Sequence, residues 1–252
     1  IDESIKNINF TLVKSGISAQ INLDENSKKK SINGTFKSKI LDKNLKLNFD
    51  YNEGVLKISN SYFRGKNISF NSSSTIIFKP FLDVESFINV TELNTIIFKN
   101  LNLDKLLDKK NLIKKINGKK TFNFVPKKLL YNSIDELSLK LDLAYGNLGY
   151  SKKFSISNNY FECEGDVNLL EDYPLLFFNC NIEINDKKKF FKIFSIKSKE
   201  KNTFLKISSK GNLNLINKKI NFDNIVVNNN NKVSNQDLKY YKNTFENILF
   251  DK

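Results

Sequence analysis

Strict alternation of apolar and polar residues is the feature that most constrains the fold of this chain. Between residues 45 and 51, leucine, phenylalanine and tyrosine occupy every second position, and lysine, asparagine and aspartate lie between them. The stretches 139–145 and 176–184 show the same alternation. A period of two places the apolar side chains of a strand on one face of a sheet. Each stretch therefore predicts a β-strand with one apolar and one polar face.

Short turn signals separate the predicted strands. Examples are Lys14-Ser15-Gly16, Asn52-Glu53-Gly54 and Asp172-Tyr173-Pro174. Connections this short join antiparallel neighbours. The sequence therefore predicts a mainly β protein: an elongated, curled antiparallel sheet whose apolar face forms a hydrophobic groove.

Two short amphipathic helices, one central and one C-terminal, interrupt the alternation. Leucine spacing predicts the first over residues 104–115, ended by Asn117-Gly118. Near the end of the chain, Ser234 and Asp237 form an N-terminal box for a helix that runs to about residue 250. Lysine runs, including 187–189, are interpreted as hairpin tips.

An internal repeat supports a two-unit organisation. The segment Ile58–Phe63 resembles Ile156–Phe161, which lies 98 positions later, and we interpret the pair as a duplicated β unit. The expected divisions are a first β-groove unit (1–100), a helical connection (101–117), a second β-groove unit (118–227), and a polar loop with the C-terminal helix (228–252).

Composition excludes most familiar enzyme chemistry. The chain has no histidine and only two cysteines, so histidine triads, Cys–His dyads and histidine-ligated zinc lack a required group. Carboxylates remain as acid–base candidates, for example Glu162 with Glu164, or Glu171 with Asp172, but nothing singles out a pair across a cleft. We predict a protein that is not an enzyme and has no cofactor or metal site.

Charge gives little reason to expect a nucleic-acid partner. The net charge is +14, but nearly all of it comes from lysine, and Arg64 is the only arginine. Base recognition favours arginine, and single-strand binding needs exposed aromatic residues among basic ones.

No apolar run is long enough to cross a bilayer, and the chain has no Met. We expect a piece of a longer protein that meets the membrane through segments outside this chain.

The two cysteines are predicted to be cross-strand neighbours. If the hairpin between them turns at residues 171–174, Cys163 and Cys180 lie opposite each other on the apolar face. A directly opposed pair satisfies the distance that a disulfide requires, and a disulfide would indicate an oxidising compartment. Two buried, reduced cysteines that act as small apolar residues are the alternative.

One-sided strands need a cover for their apolar face. A second sheet, closure into a barrel, or a ligand lying in an open groove would each provide it. Burial of apolar area is favourable in all three cases, so energy alone does not choose between a closed core and bound acyl chains.

Six segments of the sequence combine apolar residues with glycine, asparagine or proline. They are Gly34-Thr35-Phe36 through Leu45-Lys46-Leu47-Asn48-Phe49, Ile58–Gly65, Ile77-Phe78-Lys79-Pro80-Phe81, Asn117–Phe122, Gly211–Asn214 and Lys219–Phe222. These segments resemble the β repeats of the AsmA-like family of bridge-like lipid transfer proteins. The resemblance implies a periplasmic hydrophobic β groove, tethered to the inner membrane of a Gram-negative bacterium, that transfers phospholipid towards the outer membrane.

We therefore expect a non-enzymatic lipid conduit whose partners are phospholipid acyl chains; its envelope protein partners are not identified. The alternative is a structural or adhesive β-sandwich module of the cell envelope, with a closed interior. The residues expected to line the groove are Leu47, Phe49, Ile58, Phe70, Leu141, Leu143, Ile156, Phe178, Ile182, Phe194, Ile207, Leu213 and Leu215.

Overall fold

The computed structural model describes residues 6–13, 16–24, 31–93, 110–124, 134–193, 203–228 and 231–250. Contacts divide the chain into two units. Unit 1 comprises Ile1–Leu101 and Lys115–Phe124, and unit 2 comprises Asn102–Lys114 and Val125–Lys252.

Unit 1 is an open sheet whose strands follow one another in sequence order. Each strand from β1 to β7 pairs antiparallel with the next. The strands are β1 (Asn7–Leu12), β2 (Ile17–Leu23), β3 (Ser31–Ile40), β4 (Lys43–Asn52), β5 (Val55–Arg64), β6 (Ile68–Ile77), β7 (Leu82–Leu93) and β8 (Ile116–Phe124).

The last strand of unit 1 departs from the predicted antiparallel order. β8 runs parallel to β7, with Leu82 opposite Ile116 and Val90 opposite Phe124. Parallel neighbours need a long crossover, and the chain between β7 and β8 is long enough for one. The expected boundary at residue 118 placed most of this strand in the second unit, whereas its pairing belongs to the first.

The strands of unit 2 also pair antiparallel in sequence order, and unit 2 contains the described helices. With unit 1, it confirms the predicted mainly β fold class. Its elements are α1 (Lys110–Ile113), β9 (Ile134–Ala144), β10 (Asn147–Ile156), β11 (Asn159–Asn168), β12 (Leu175–Ile184), α2 (Lys187–Ile193), β13 (Leu205–Asn214), β14 (Lys219–Val227), β15 (Asn231–Lys232) and α3 (Asn235–Phe250).

Local turn chemistry fixes the hairpins. Glu53 and Gly54 have φ values of 47° and 88°, and Tyr145 and Gly146 have 50° and 86°. Two consecutive left-handed residues are the requirement of a type I′ turn, whose twist matches that of the strands it joins. The predicted turn at Asn52-Glu53-Gly54 is therefore confirmed.

The C-terminal helix begins as the sequence predicts. Ser234 Oγ lies 2.7 Å from Asp237 Oδ2 and accepts the backbone N–H of Asp237 at 3.2 Å. This box gives the first turn of α3 a hydrogen-bond partner that the helix cannot supply itself. Helix α3 then follows from Asn235 to Phe250.

The other helices differ from expectation. Only the end of the predicted central helix is described, as α1, and residues 104–109 lie outside the described residues. Asn117-Gly118 does not end this helix but lies inside β8. The lysine run 187–189 forms the start of α2 instead of a hairpin tip. The ring of Phe190 in α2 lies 5.8 Å from that of Phe161, a tertiary contact that favours a helix there.

The two copies of the sequence repeat adopt different structures. Ile58–Phe63 remains within β5, where the pairing register shifts after Ile58. In the second copy, Ser157 and Asn158 have φ values of 47° and 64° and form the turn between β10 and β11. The two segments are therefore not structurally equivalent, and the duplicated β unit stays a prediction.

Candidate functional site

The pairing registers place the apolar side chains of unit 1 on one face of its sheet. Phe49 lies opposite Ile58, and Phe70 lies opposite both Phe63 and Val90. Leu47 has the same phase as Phe49 along β4. We call this surface the apolar face of unit 1. The four predicted lining residues of this unit thus share a face.

Much of this face is open to solvent. Phe10 is 53% exposed and Ile40 45% exposed, although both lie on the apolar face. Within its described residues, unit 1 contains strands and turns but no helix that could cover the face. Val90 and Phe124, opposite each other where β7 meets β8, are among its few buried apolar residues. The apolar face of unit 1 is therefore most exposed along β1 and at the ends of β3, and it is partly buried on the central strands.

Unit 2 has an equivalent surface, the apolar face of unit 2. Ile182 lies opposite Ile207 in the β12–β13 register, and Phe178 and Leu213 follow in the same phase. Leu141 lies opposite Tyr150 on β10. Ile156 belongs to the same face and is buried. The predicted lining residue Phe194 lies outside the described residues.

One end of the apolar face of unit 2 is covered by its own chain. Ile113 of α1 forms a buried cluster with Val167 and Leu169. Leu143 and Leu215, which were expected to line a groove, pack against this cluster. They belong to a small core, because the α1 segment lies over this end of the sheet.

Helix α3 adds aromatic surface beside the last long strand. The ring of Phe222 on β14 lies 5.8 Å from the ring of Phe178 and 5.8 Å from that of Phe245 in α3. Glu246 fixes the helix by accepting the backbone N–H of Ile220 at 2.9 Å and pairing with Lys219 at 3.2 Å. Burial alone would raise the pKa of Glu246, but these two partners hold it below its ordinary value.

The predicted opposition of the two cysteines is confirmed. Cys163 and Cys180 lie directly opposite each other on β11 and β12, with their Cα atoms 4.1 Å apart, and form a disulfide. The alternative, two reduced cysteines, is therefore wrong. The disulfide lies on the apolar face, since Cys180 has the phase of Phe178 and Ile182.

The apolar face of unit 2 also carries a lysine, Lys152, which the sequence analysis did not predict. Lys152 is opposite Leu139 on one side and Cys163 on the other. Its Nζ lies 4.8 Å from the ring centroid of Phe154. Desolvation by this apolar surrounding lowers the pKa of Lys152. Its neighbour Lys153 points to the polar face, where the carboxylate of Glu162 raises the pKa of that lysine.

The polar face of unit 1 carries a basic cavity of about 750 Å³. Its charged lining residues are Lys37, Lys39, Lys46 and Arg64, and Lys37 lies directly opposite Lys46. Arg64 is held in place by hydrogen bonds to the carbonyl oxygen of Phe70 at 2.7 Å and to other acceptors. This face of the sheet is therefore polar and cationic.

Two of the candidate acid–base carboxylates are paired with lysines. Glu162 and Glu164 lie two residues apart on β11, Glu162 pairs with Lys153, and Asp172 pairs with Lys110 at 3.4 Å. Glu171 accepts a hydrogen bond from Asn168 at 3.4 Å. Among the described residues, no group of three or more Cys, Asp or Glu could hold a metal ion.

Comparison of the chain with family models, curated proteins and solved structures gave no match. In the described part of the chain, none of the helices has the length and apolar character needed to cross a bilayer.

Proposed function

We propose that this chain is a non-enzymatic lipid-binding protein that accepts phospholipid acyl chains on its apolar faces and passes them along. The observation that carries the proposal is the open apolar face of unit 1, on which Phe10 and Ile40 are about half exposed. Soluble proteins rarely leave contiguous apolar patches larger than a few hundred Å² uncovered unless the patch binds something.

Hydrocarbon is a suitable occupant for such a face. Moving a methylene group from water to apolar surroundings is favourable by about 0.8 kcal/mol, so an acyl chain gains stabilisation along its whole length without a specific contact. Leu47, Phe49 and Ile58 offer only carbon atoms on this face. Nothing in the proposal requires proton or electron transfer.

The proposed location is the periplasm, with a tether to the inner membrane through segments outside this chain and transfer directed towards the outer membrane. The disulfide between Cys163 and Cys180 supports an oxidising compartment. The patterns that resemble the AsmA-like family support the direction of transfer. Lysines such as Lys37 and Lys46 give the polar face a positive charge that attracts an anionic membrane surface.

A structural or adhesive module of the cell envelope is the second candidate. It is favoured by the end of unit 2 where Ile113, Val167 and Leu169 form a self-packed core. In that case the remaining apolar surface is covered by protein, and the chain carries no lipid.

A vesicle assay with two matched variants tests the proposal. Phe10 is 53% exposed on the apolar face of unit 1, and Phe87 is 49% exposed on its polar face, opposite Thr121. We expect the wild-type chain to transfer fluorescent phospholipid between vesicles. Phe10→Asp should reduce the transfer rate several-fold because it places a charge among the acyl chains, and Phe87→Asp should leave the rate unchanged.

Two outcomes would count against the proposal. The first is a wild-type chain that does not accelerate transfer over vesicles alone. The second is an equal loss in both variants, which would show that the faces are not distinguished. Circular dichroism on all three proteins establishes that each is folded.

A further inference from the structure

We propose that Lys152 binds the anionic head of an amphiphile whose hydrocarbon chain lies on the apolar face of unit 2. This inference rests on the proposed function and deepens it, because it assigns a chemical class to the ligand of this unit: an alkyl chain that ends in a carboxylate or phosphate group.

The position of Lys152 sets it apart from the other lysines. It lies inside β10, which pairs with β9 on one side and β11 on the other, so it is neither at a hairpin tip nor on an edge strand. Lys153, by contrast, follows the alternation onto the polar face. Among the register-paired positions of the apolar face in β9 to β14, Lys152 is the one charged residue.

The neighbours of Lys152 leave its charge uncompensated. Its partners across the strands are Leu139 and half of the disulfide, and the ring of Phe154 lies beneath its ammonium. The hydroxyl of Tyr150, two residues away on the same face, donates to the carbonyl oxygen of Phe177 at 3.3 Å. Within the described residues, no carboxylate pairs with Lys152, although Glu162 lies close by on the opposite face and pairs with Lys153.

An ammonium group on an apolar surface gains most from an anion that arrives with its own hydrocarbon. A hydrogen bond between ionised partners is stronger than one between neutral groups, and its strength increases where water is excluded. A ligand chain lying along Leu141, Phe178 and Ile182 would exclude water from the contact. Lys152 thus determines where the head lies, and the apolar residues bind the chain.

The test uses three fluorescent C16 probes that differ only at the head: the carboxylic acid, the alkyl phosphate and the uncharged methyl ester. We expect the wild-type chain to bind both anionic probes about tenfold more tightly than the ester, as expected for one charge-assisted contact. Lys152→Met, which keeps a long apolar side chain, should bind all three probes with the affinity of the ester. Lys152→Arg should restore the preference.

Lys153→Met is the matched control, because it removes a neighbouring positive charge from the opposite face and should leave the preference intact. If the wild-type chain prefers only the carboxylate, the source is a fatty acid; if it prefers both anions, a phosphate head is accepted as well. Equal preference in the wild-type chain and Lys152→Met would overturn this inference while leaving lipid binding intact. A wild-type chain that binds none of the probes would overturn the proposed function of this face together with the inference.

Discussion

The side chain of Phe178 lies over Gly211, its direct partner across β12 and β13. A Cβ atom on residue 211 would be 2.9 Å from Cζ of Phe178. The same arrangement occurs in unit 1, where a Cβ on Gly34 would be 2.9 Å from Cζ of its partner Phe49. In both units an aromatic ring thus covers the backbone of a glycine, a known way to stabilise glycine within a sheet. The rings lie along the apolar face and shield part of it.

Replacing this glycine should destabilise unit 2. In Gly211→Ala, the added methyl group would meet the carbonyl oxygen of Asn221 and the ring of Phe178. Because a backbone atom cannot move aside as a side chain can, we expect a loss of about 1 to 3 kcal/mol, the usual cost of overpacking. Urea unfolding followed by circular dichroism measures it.

Gly149→Ala is the control for this substitution. A Cβ at residue 149 would meet only the carbonyl oxygen of Asp142, at 3.8 Å, which is ordinary contact. We expect this variant to be unchanged or up to about 1 kcal/mol more stable, since alanine loses less backbone freedom than glycine on folding. A loss equal to that of Gly211→Ala would show that the cost does not come from the close contacts at residue 211.

Reduction of the disulfide should also lower stability. Cys163 and Cys180 are 17 residues apart in the sequence. A disulfide that closes a loop of this size stabilises the folded state by about 3 kcal/mol, because it restricts the conformations of the unfolded chain. The urea midpoint should therefore fall when dithiothreitol is added. In the double variant Cys163→Ala/Cys180→Ala, the midpoint should be low and insensitive to dithiothreitol. A wild-type midpoint that is the same with and without reductant would show that the bond does not form.

Docking of α3 should weaken in acid. The pKa of Glu246 lies below its ordinary value of 4.5 because the Ile220 N–H and Lys219 favour the carboxylate over the effect of burial. The unfolded chain therefore takes up the proton at a higher pH than the folded chain. The contribution of Glu246 to stability is complete above about pH 4.5 and is lost as the pH falls through the lower, folded pKa.

Glu246→Gln isolates this effect, because glutamine retains an acceptor for Ile220 but does not titrate. Hydrogen exchange of the α3 amides, corrected for the intrinsic pH dependence of exchange, should show protection that decreases in acid for the wild-type chain. The decrease should be smaller in the variant. Identical profiles would mean that Glu246 does not control the docking of α3.

The buried amide of Asn159 should be hard to replace. It is fully buried; its Nδ2 donates to the carbonyl oxygen of Ile156 at 2.8 Å, and its Oδ1 accepts the backbone N–H of Asn185 at 2.9 Å. Asn159→Leu leaves both backbone groups unpaired, so we expect a loss of about 3 kcal/mol in urea unfolding. Asn179→Leu, at an exposed position of the polar face, should cost less than about 1 kcal/mol.

Much of the sheet could be predicted from alternation and turns alone. The period of two placed Phe178 and Ile182 on one face, and the turn near residue 172 placed Cys163 opposite Cys180, because both signals are local in sequence. The parallel pairing of β7 with β8 has no local signal, since it depends on the path of the long connection between them. Helix α2 was predicted as a hairpin tip because residues 187–189 are all lysine. The contact of Phe190 with Phe161 that favours a helix exists only in the folded chain.

The apolar residues of the candidate site could be predicted from the sequence, but its charged residue, Lys152, could not. The apolar lining follows from the same alternation. Lys152 was missed because Ser151, Lys152 and Lys153 together look like a polar segment. Only the pairing of Lys152 with Leu139 and Cys163 shows which of the two lysines shares the apolar face.

Mass spectrometry of lipids retained by the gently purified chain tests the central claim most directly. Phe178 and Phe177 are adjacent on β12 and lie on opposite faces, the first on the apolar face and the second, 46% exposed, on the polar face. We expect bound phospholipid or fatty acid in the wild-type chain and in Phe177→Asp, and its loss in Phe178→Asp that remains folded by circular dichroism. A folded wild-type chain that carries no lipid, and takes up none from added vesicles, would contradict the account.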